Sequence, residues 1–110
     1  MPKSPKGTRR ERELLEKLKK EGYIVHRVAG SGLGEEAICD LVAVNKKGKV
    51  FFIECKSRKR AYYSKEHLKQ LKELVNIATS CKATPLLAVK LNYKDWKIID
   101  IQKKIPEKIS

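Results

Sequence analysis

Two stretches decide the fold: ICDLVAV at residues 38–44 and VFFIECK at residues 50–56. Each is a short run rich in β-branched and aromatic residues, which is typical of a buried β-strand. The segment that joins them, NKKGK at residues 45–49, is polar and contains one glycine. The two stretches are therefore predicted to be neighbouring strands of a hairpin.

The predicted hairpin carries three charged residues that are unusual among apolar neighbours. Side chains alternate between the faces of a strand, so Glu54 and Lys56 project from the same face, and the pairing can bring Asp40 beside Glu54. Two carboxylates suit Mg²⁺, a neighbouring lysine can polarise a water or hold a phosphate, and metal-assisted phosphodiester hydrolysis needs this set. The alternatives are that Asp40 caps a loop amide at a strand end and that Glu54 and Lys56 form an exposed polar edge.

The charge balance favours a polyanionic partner. The chain has 26 Lys and Arg against 13 Asp and Glu, a net charge of +13. Nucleic acid is the first expectation and an anionic membrane surface the second, with a merely solvated, lysine-rich surface as the alternative. Two basic patches flank the acidic residues and favour a track for phosphates, beside which the tyrosines can stack or pack. The DNA-binding candidates are Lys3, Lys6, Arg9, Arg10 and Arg12 in the first patch and Arg58, Lys59, Arg60, Tyr62 and Tyr63 in the second.

The length of 110 residues predicts a single domain, residues 1–110, in which residues 103–110 form a flexible tail. We find neither a signal peptide nor an apolar run of about 20 residues that could span a membrane, so a cytoplasmic location is predicted. The three cysteines are an odd number without paired metal spacing, which favours small packed residues in a reducing compartment over zinc ligands or a disulfide. The two histidines, His26 and His67, are isolated and predicted to be surface or partly packed residues.

The remaining pattern predicts an α/β fold with a mixed sheet. A helix is predicted over residues 4–21, a strand over 23–29, a second helix from a Ser64 N-cap to about Ser80, and strands over 85–91 and 96–101. The apolar face of the second helix is broader than one contact requires, so part of it is predicted to meet another subunit. The residues concerned are Leu68, Leu71, Leu74 and Val75.

Glu11 and Ser31 each have two interpretations. Glu11 fits a capping box that reaches back to the Thr8 amide, but it also shares the apolar stripe of Leu15 and Leu18, where a buried carboxylate needs a partner. Ser31 lies between glycines, so its hydroxyl could approach a phosphate, and the other interpretation is an ordinary flexible turn.

The chain resembles the PD-(D/E)xK nuclease superfamily, and within it the archaeal Holliday junction resolvases. The resemblance extends over roughly the whole chain and implies a restriction-endonuclease-like αβββαβ core, in which a central mixed sheet is flanked by helices. It rests on KG at 6–7, ERELL at 11–15, AGS at 29–31, DLVA at 40–43, IECK at 53–56 and PLLAVK at 85–90.

This resemblance implies a homodimeric, Mg²⁺-dependent endonuclease, in which Mn²⁺ can substitute, that makes paired nicks in four-way DNA junctions during recombination and repair. The implied metal site consists of Asp40 and Glu54, with the Cys55 carbonyl as an extra ligand and Glu11 holding a water bound to the metal. Lys56 completes the implied catalytic set, which Arg12 and Ser31 support beside the scissile phosphate. The alternatives are a nuclease of the same fold that cuts other branched DNA and a non-catalytic DNA-binding protein.

Overall fold

A computed structural model gives the structure of residues 5–28 and 38–110, with side chains from residue 8 onward. Lys3 and Ser31, and the side chain of Lys6, lie outside the described residues. No helix in the described ranges is long and apolar enough to cross a membrane. The elements, in chain order, are α1 (Pro5–Lys20), β1 (Ile24–Arg27), β2 (Leu41–Val44), β3 (Val50–Arg58), β4 (Tyr62–Tyr63), a 3-10 helix (Ser64–His67), α2 (Leu68–Ser80), β5 (Thr84–Leu91), β6 (Lys97–Asp100) and β7 (Lys108–Ile109).

The central sheet is mixed, and its strand order is β1-β2-β3-β5-β6. Strands β1, β2 and β3 pair antiparallel, β3 and β5 pair parallel, and β6 pairs antiparallel with β5. The parallel pair requires a crossover, which the 3-10 helix and α2 provide between the two strands. The predicted αβββαβ core with a mixed sheet flanked by helices is confirmed. Strands β4 and β7 form a separate two-stranded sheet.

The sheet is buried on both faces because a helix covers each of them. On one face Leu14 and Leu18 of α1 pack with Leu41 and Ile53. On the other face Leu71 and Leu74 of α2 pack with Leu87 and Val89 of β5. Strand β5 contributes to both clusters, and this explains why its sequence is almost continuously apolar rather than alternating.

The structure corrects the predicted start of the second helix and shows which part of its apolar face the sheet covers. Ser64 is not a helix N-cap: it begins the 3-10 helix, and its hydroxyl instead lies 3.5 Å from the Glu107 carbonyl oxygen. Leu71 and Leu74 are fully buried against the sheet, so they cannot contribute to an interface with a second subunit. Leu68 remains exposed and Val75 is half-buried.

The C-terminal segment does not form the predicted flexible tail. Lys108 and Ile109 pair antiparallel with Tyr63 and Tyr62, and the Ile109 side chain is buried in the α2-side core. The backbone amide of Ser64 also donates to the Glu107 carbonyl at 3.1 Å. The prediction failed because the segment is polar and basic apart from Ile105 and Ile109, and these two apolar residues anchor it.

Candidate active site

Asp40 lies where the β2–β3 ladder ends. Its backbone amide donates to the Ile53 carbonyl at 3.0 Å, and its carboxylate Oδ2 accepts a hydrogen bond from the Cys55 amide at 2.8 Å. The carboxylate thus takes the place of a strand carbonyl, and the side chain is buried, with a relative exposure of 5%. The alternative interpretation, a strand-end aspartate that caps an amide, describes this contact.

Glu54 and Lys56 lie beside Asp40 on the neighbouring strand. The register pairs Leu41 with Ile53, so Asp40 lies opposite Glu54 one position further along the ladder. The Lys56 Nζ lies 3.2 Å from Glu54 Oε2, and the side chains are only 15% and 4% exposed. The structure therefore brings together the three charged residues that the hairpin pattern selected, and it excludes an exposed polar edge as their explanation.

The negative charge of this cluster contributes to a raised pKa at a neighbouring thiol, that of Cys39. Burial raises the pKa of Cys39 to about 12, and the carboxylates of Glu54 and Asp40 contribute in the same direction. The Cys39 thiol therefore stays protonated at neutral pH and donates to the Leu41 carbonyl at 3.2 Å. Cys39 is buried, Cys55 half-buried and Cys81 exposed, and all three are free thiols, consistent with the expectation of packed residues for the first two.

The residues present fit a magnesium ion. Mg²⁺ is commonly bound through one or two carboxylates while it keeps several waters. Asp40 and Glu54 supply the carboxylates. The amide and carbonyl of one strand residue point to the same side, so the Cys55 carbonyl faces the edge where Asp40 binds the Cys55 amide. Within residues 8–28 and 38–110, no three His, Cys, Asp or Glu side chains lie close enough together to hold one ion. The structure therefore does not group Glu11 with Asp40 and Glu54 as a third direct ligand.

Glu11 instead pairs with a cation that the sequence analysis did not select. Its Oε1 accepts a hydrogen bond from Arg27 Nε at 2.9 Å, and the Glu11 side chain is 4% exposed. The capping box is wrong, because α1 begins at Pro5 and Thr8 lies within the helix. Arg27 lies two residues after the apolar Val25 on β1, so the two side chains share one face of the strand. Val25 packs in the α1-side core, and Arg27 therefore points towards α1, from which Glu11 projects.

The Glu11–Arg27 pair lies at the same end of the sheet as the cluster on β2 and β3. Arg27 is paired with Leu41 across the β1–β2 ladder, and the next amide, that of Val28, donates to the Asp40 carbonyl at 2.9 Å. Ile53 packs on the α1 side, so the adjacent Glu54 projects to the α2 side. The two acidic positions therefore approach one sheet end from opposite faces.

The basic segment after β3 differs from its predicted role at one residue. Tyr62 is fully buried in the α2-side core, so it cannot stack on DNA, whereas Tyr63 is 42% exposed. Arg58 extends the β3 face that bears Glu54 and Lys56, and its NH2 lies 3.2 Å from Glu66 Oε2. Lys59 and Arg60 follow and are exposed.

The first basic patch is less uniform than its sequence suggests. Arg9 and Arg12 are exposed on α1. Arg10 is half-buried, and its NH1 lies 2.9 Å from Glu13 Oε2, so part of its charge is offset within the helix. The structure places Arg12 next to Glu11 in the chain, but only Glu11 points into the core.

Taken together, the buried residues form a site suited to hydrolysis of a phosphate ester. Two carboxylates can hold a divalent ion, a lysine lies within contact distance of one of them, and exposed cations continue along the same strand and connection. Such a set of groups matches metal-assisted attack of water on a phosphodiester.

Comparison with known proteins gives matches that extend over most of the chain. The family model described as archaeal Holliday junction resolvase (Hjc) matches residues 2–109. A protein named crossover junction endodeoxyribonuclease Hjc from Archaeoglobus fulgidus is 40% identical over 100 residues, which is 88% of this chain and 70% of that protein. A protein of the same name from Methanocaldococcus jannaschii is 39% identical over 90 residues, which is 79% of this chain and 60% of the relative.

A solved structure agrees with the sequence matches. The crystallised protein, Archaeoglobus fulgidus Hjc, is described as a Holliday junction resolvase from an archaeal hyperthermophile. It is 38% identical to this chain and superposes with a TM-score of 0.70, covering 86% of this chain and 75% of the solved one.

Proposed function

The chain belongs to the archaeal Holliday junction resolvase family, and from this premise we propose that it is an endonuclease that resolves four-way DNA junctions by paired, symmetric nicks, acting in recombination and repair in the cytoplasm. The observation that carries the proposal is the buried meeting of Asp40, Glu54 and Lys56 at one end of a sheet. Ionised side chains are seldom buried unless they are paired or bind a metal.

The family implies a divalent metal ion, and we propose that it is Mg²⁺, with Mn²⁺ able to replace it. Asp40, Glu54 and the Cys55 carbonyl would hold the ion. When bound, it supplies an activated water and offsets the charge that builds on the phosphate. Lys56, held next to Glu54, orients the attacking water and favours its loss of a proton.

In this proposal Glu11 acts on the ion through a water and is not itself a ligand. Arg27 fixes the Glu11 carboxylate, which orients a water at the edge of the site from the α1 side. Arg12, exposed on the same helix, and Ser31, which lies outside the described residues, contact the phosphate that is cut.

DNA is held through its phosphates. The exposed residues Arg9, Lys59 and Arg60, together with Lys3 and Lys6, contact the backbone without reading bases. Tyr63 replaces Tyr62 as the aromatic residue of this surface, because only Tyr63 is exposed. Selectivity for a junction then depends on the shape of the DNA rather than on its sequence.

The two nicks require two active sites, and we propose a homodimer with two-fold symmetry. A groove of about 420 Å³ between α2 and residues 101–105 contains Leu68 and Val75, the two α2 residues of the predicted interface that are not fully buried. Lys72 lines the same groove, so salt should favour the association by screening the repulsion between copies.

A cleavage assay separates the candidate functions. Linear, flap and four-way DNA are incubated with the protein and Mg²⁺, and the products are mapped on both strands. Paired, symmetric nicks in the four-way junction alone are expected. Cutting that favours flaps would indicate a nuclease of the same fold with another target, and binding without cutting would indicate a non-catalytic DNA-binding protein.

The dimer is tested with two matched substitutions on α2. Leu68→Asp introduces a charge in the groove and is expected to give a monomer in sedimentation that no longer makes paired nicks. Ile77→Asp places the same charge at a comparably exposed site outside the groove and should remain dimeric. A monomeric parent protein that still makes paired nicks would contradict the dimer.

A further inference from the structure

An aromatic and basic cluster lies beyond Lys56, formed by the end of β3, strand β4 and the 3-10 helix. It consists of Arg58 at the end of β3, the buried Tyr62, and His67 at the end of the 3-10 helix, and we call it the Tyr62–His67 cluster. Arg58 lies two residues after Lys56 on the same strand face, a displacement of about 7 Å. Neither Tyr62 nor His67 has a role in the chemistry proposed for the active site.

The cluster is held in a defined geometry. The rings of Tyr62 and His67 are nearly parallel, with an interplanar angle of 9° and centroids 6.1 Å apart. The Tyr62 hydroxyl lies 3.5 Å from His67 Nδ1, and the Arg58 guanidinium lies 5.4 Å from the Tyr62 ring centroid. Because Nδ1 is turned to the tyrosine, the opposite ring nitrogen, Nε2, points away from Tyr62.

The surroundings of His67 disfavour its charged form in the protein without DNA. Burial lowers its pKa, the positive charges of Lys56 and Arg58 on β3 lower it further, and Glu66 on the 3-10 helix opposes them. The Tyr62 hydroxyl is uncharged at neutral pH, since burial raises the pKa of Tyr62 to about 12. Both cations of β3 therefore favour the neutral form of His67.

We propose that Arg58 and His67 of the Tyr62–His67 cluster contact the DNA phosphate next to the one that is cut, and that His67 takes up a proton when the DNA binds. This inference rests on the proposed function, because it requires DNA at Lys56. It adds a positioning residue for the substrate that the family resemblance does not name.

The physical reason is electrostatic. A phosphate bound between Lys56 and Arg58 neutralises the two charges that disfavour protonation of His67. An anion within about 4–6 Å favours the charged form of a histidine, so the bound phosphate raises the pKa of His67. Protonation and binding are therefore linked, and junction affinity rises as the pH falls from the pKa of His67 in the complex towards its lower pKa in the free protein.

Calorimetry in two buffers measures this linkage directly. The full chain is titrated with a four-way junction at pH 6.5 in chelator, so that no cutting occurs, in buffers of low and high ionisation enthalpy. The difference in apparent enthalpy gives the protons taken up. The parent protein is expected to show a net uptake of up to about one proton per protomer.

The chain offers a matched control because it contains two histidines. His67→Gln should lose nearly all the proton uptake, and His26→Gln, altered on the exposed strand β1, should keep it. Absent uptake in the parent, or equal uptake in the His67→Gln variant, would overturn the inference. Uptake that disappears in the His26→Gln variant instead would also overturn it.

A second measurement leaves the cluster intact. In the His26→Gln variant the only histidine is His67, so its imidazole resonance can be titrated by NMR in the free protein and in the complex. The pKa of His67 is expected to rise on adding the junction, and an unchanged value would overturn the inference. A protein that binds the junction with this rise but never cuts it would keep the inference and lose the proposed nuclease activity.

Discussion

Two buried acidic sites lie at the same end of the sheet, and the fold produces them in different ways. Asp40 and Glu54 lie on adjacent strands, share a hydrogen-bonded ladder and have Lys56 beside them. Glu11 lies on a helix, and its cation, Arg27, comes from a strand sixteen residues away. We call these the strand site and the helix site. The strand site has the donors for a metal ion, whereas the helix site is a single carboxylate held by an arginine.

The two sites are suited to different chemical roles. In the strand site two carboxylates and a backbone carbonyl face one edge, so their combined charge is offset best by a divalent cation. In the helix site one carboxylate is already offset by one guanidinium, so it is suited to orient a water or a neighbouring ligand. We therefore expect loss of the strand site to abolish chemistry and loss of the helix site to weaken it.

The largest effect is expected in the strand site. Glu54→Gln keeps the size of the side chain but removes a ligand charge, so junction cleavage should fall by about a thousandfold. Junction binding should persist, because phosphate contacts elsewhere supply the affinity. Cleavage rates and binding isotherms measured side by side check this.

The control for this substitution is Glu16→Gln, which removes an exposed charge on α1 and should change neither rate nor affinity. A Glu54→Gln protein as active as the control would remove Glu54 from the metal site.

The helix site is expected to have an intermediate effect. Glu11→Gln should lower the cleavage rate by about 10–100-fold, the range for groups that act through a metal ligand or its waters. The melting temperature should change little, since glutamine can still accept a hydrogen bond from Arg27. A rate equal to that of the parent would make the Glu11–Arg27 pair purely structural.

The strand site could be predicted from the sequence because its information is local. Strand alternation places Glu54 and Lys56 on one face, and a five-residue turn fixes Asp40 opposite Glu54. Arg27 could not be selected in the same way, because its partner lies on another element. The choice between capping and core positions for Glu11 likewise depended on where α1 begins.

Tyr62 and the C-terminal segment show a second limit of prediction from the sequence. A tyrosine that follows three basic residues suggests a DNA contact, but Tyr62 is buried because β7 returns to pair with it. The pairing joins residues more than forty positions apart through a two-residue strand, which no sequence period reveals. The same return explains why the polar tail is not the flexible segment that its composition predicted.

The smallest effect is expected on stability at the helix site. Arg27→Gln removes a charged hydrogen bond to the buried Glu11, and we expect a loss of roughly 1–2 kcal/mol in the free energy of unfolding after allowing for the partial exposure of Arg27. The matched substitution, Arg10→Gln, removes an arginine that is paired with the exposed Glu13 and should cost about 0.5 kcal/mol or less. Equal losses in denaturant unfolding would show that the helix site is no more than a surface pair.

Metal binding tests the difference between the two sites most directly. The parent, Asp40→Asn, Glu54→Gln and Glu11→Gln proteins are titrated with Mn²⁺ in the absence of DNA, and free Mn²⁺ is followed by electron paramagnetic resonance. We predict that Asp40→Asn and Glu54→Gln lose the site while Glu11→Gln binds within about tenfold of the parent. Loss of binding in the Glu11→Gln protein equal to that in the strand-site variants, or retention of binding in the strand-site variants, would contradict the account.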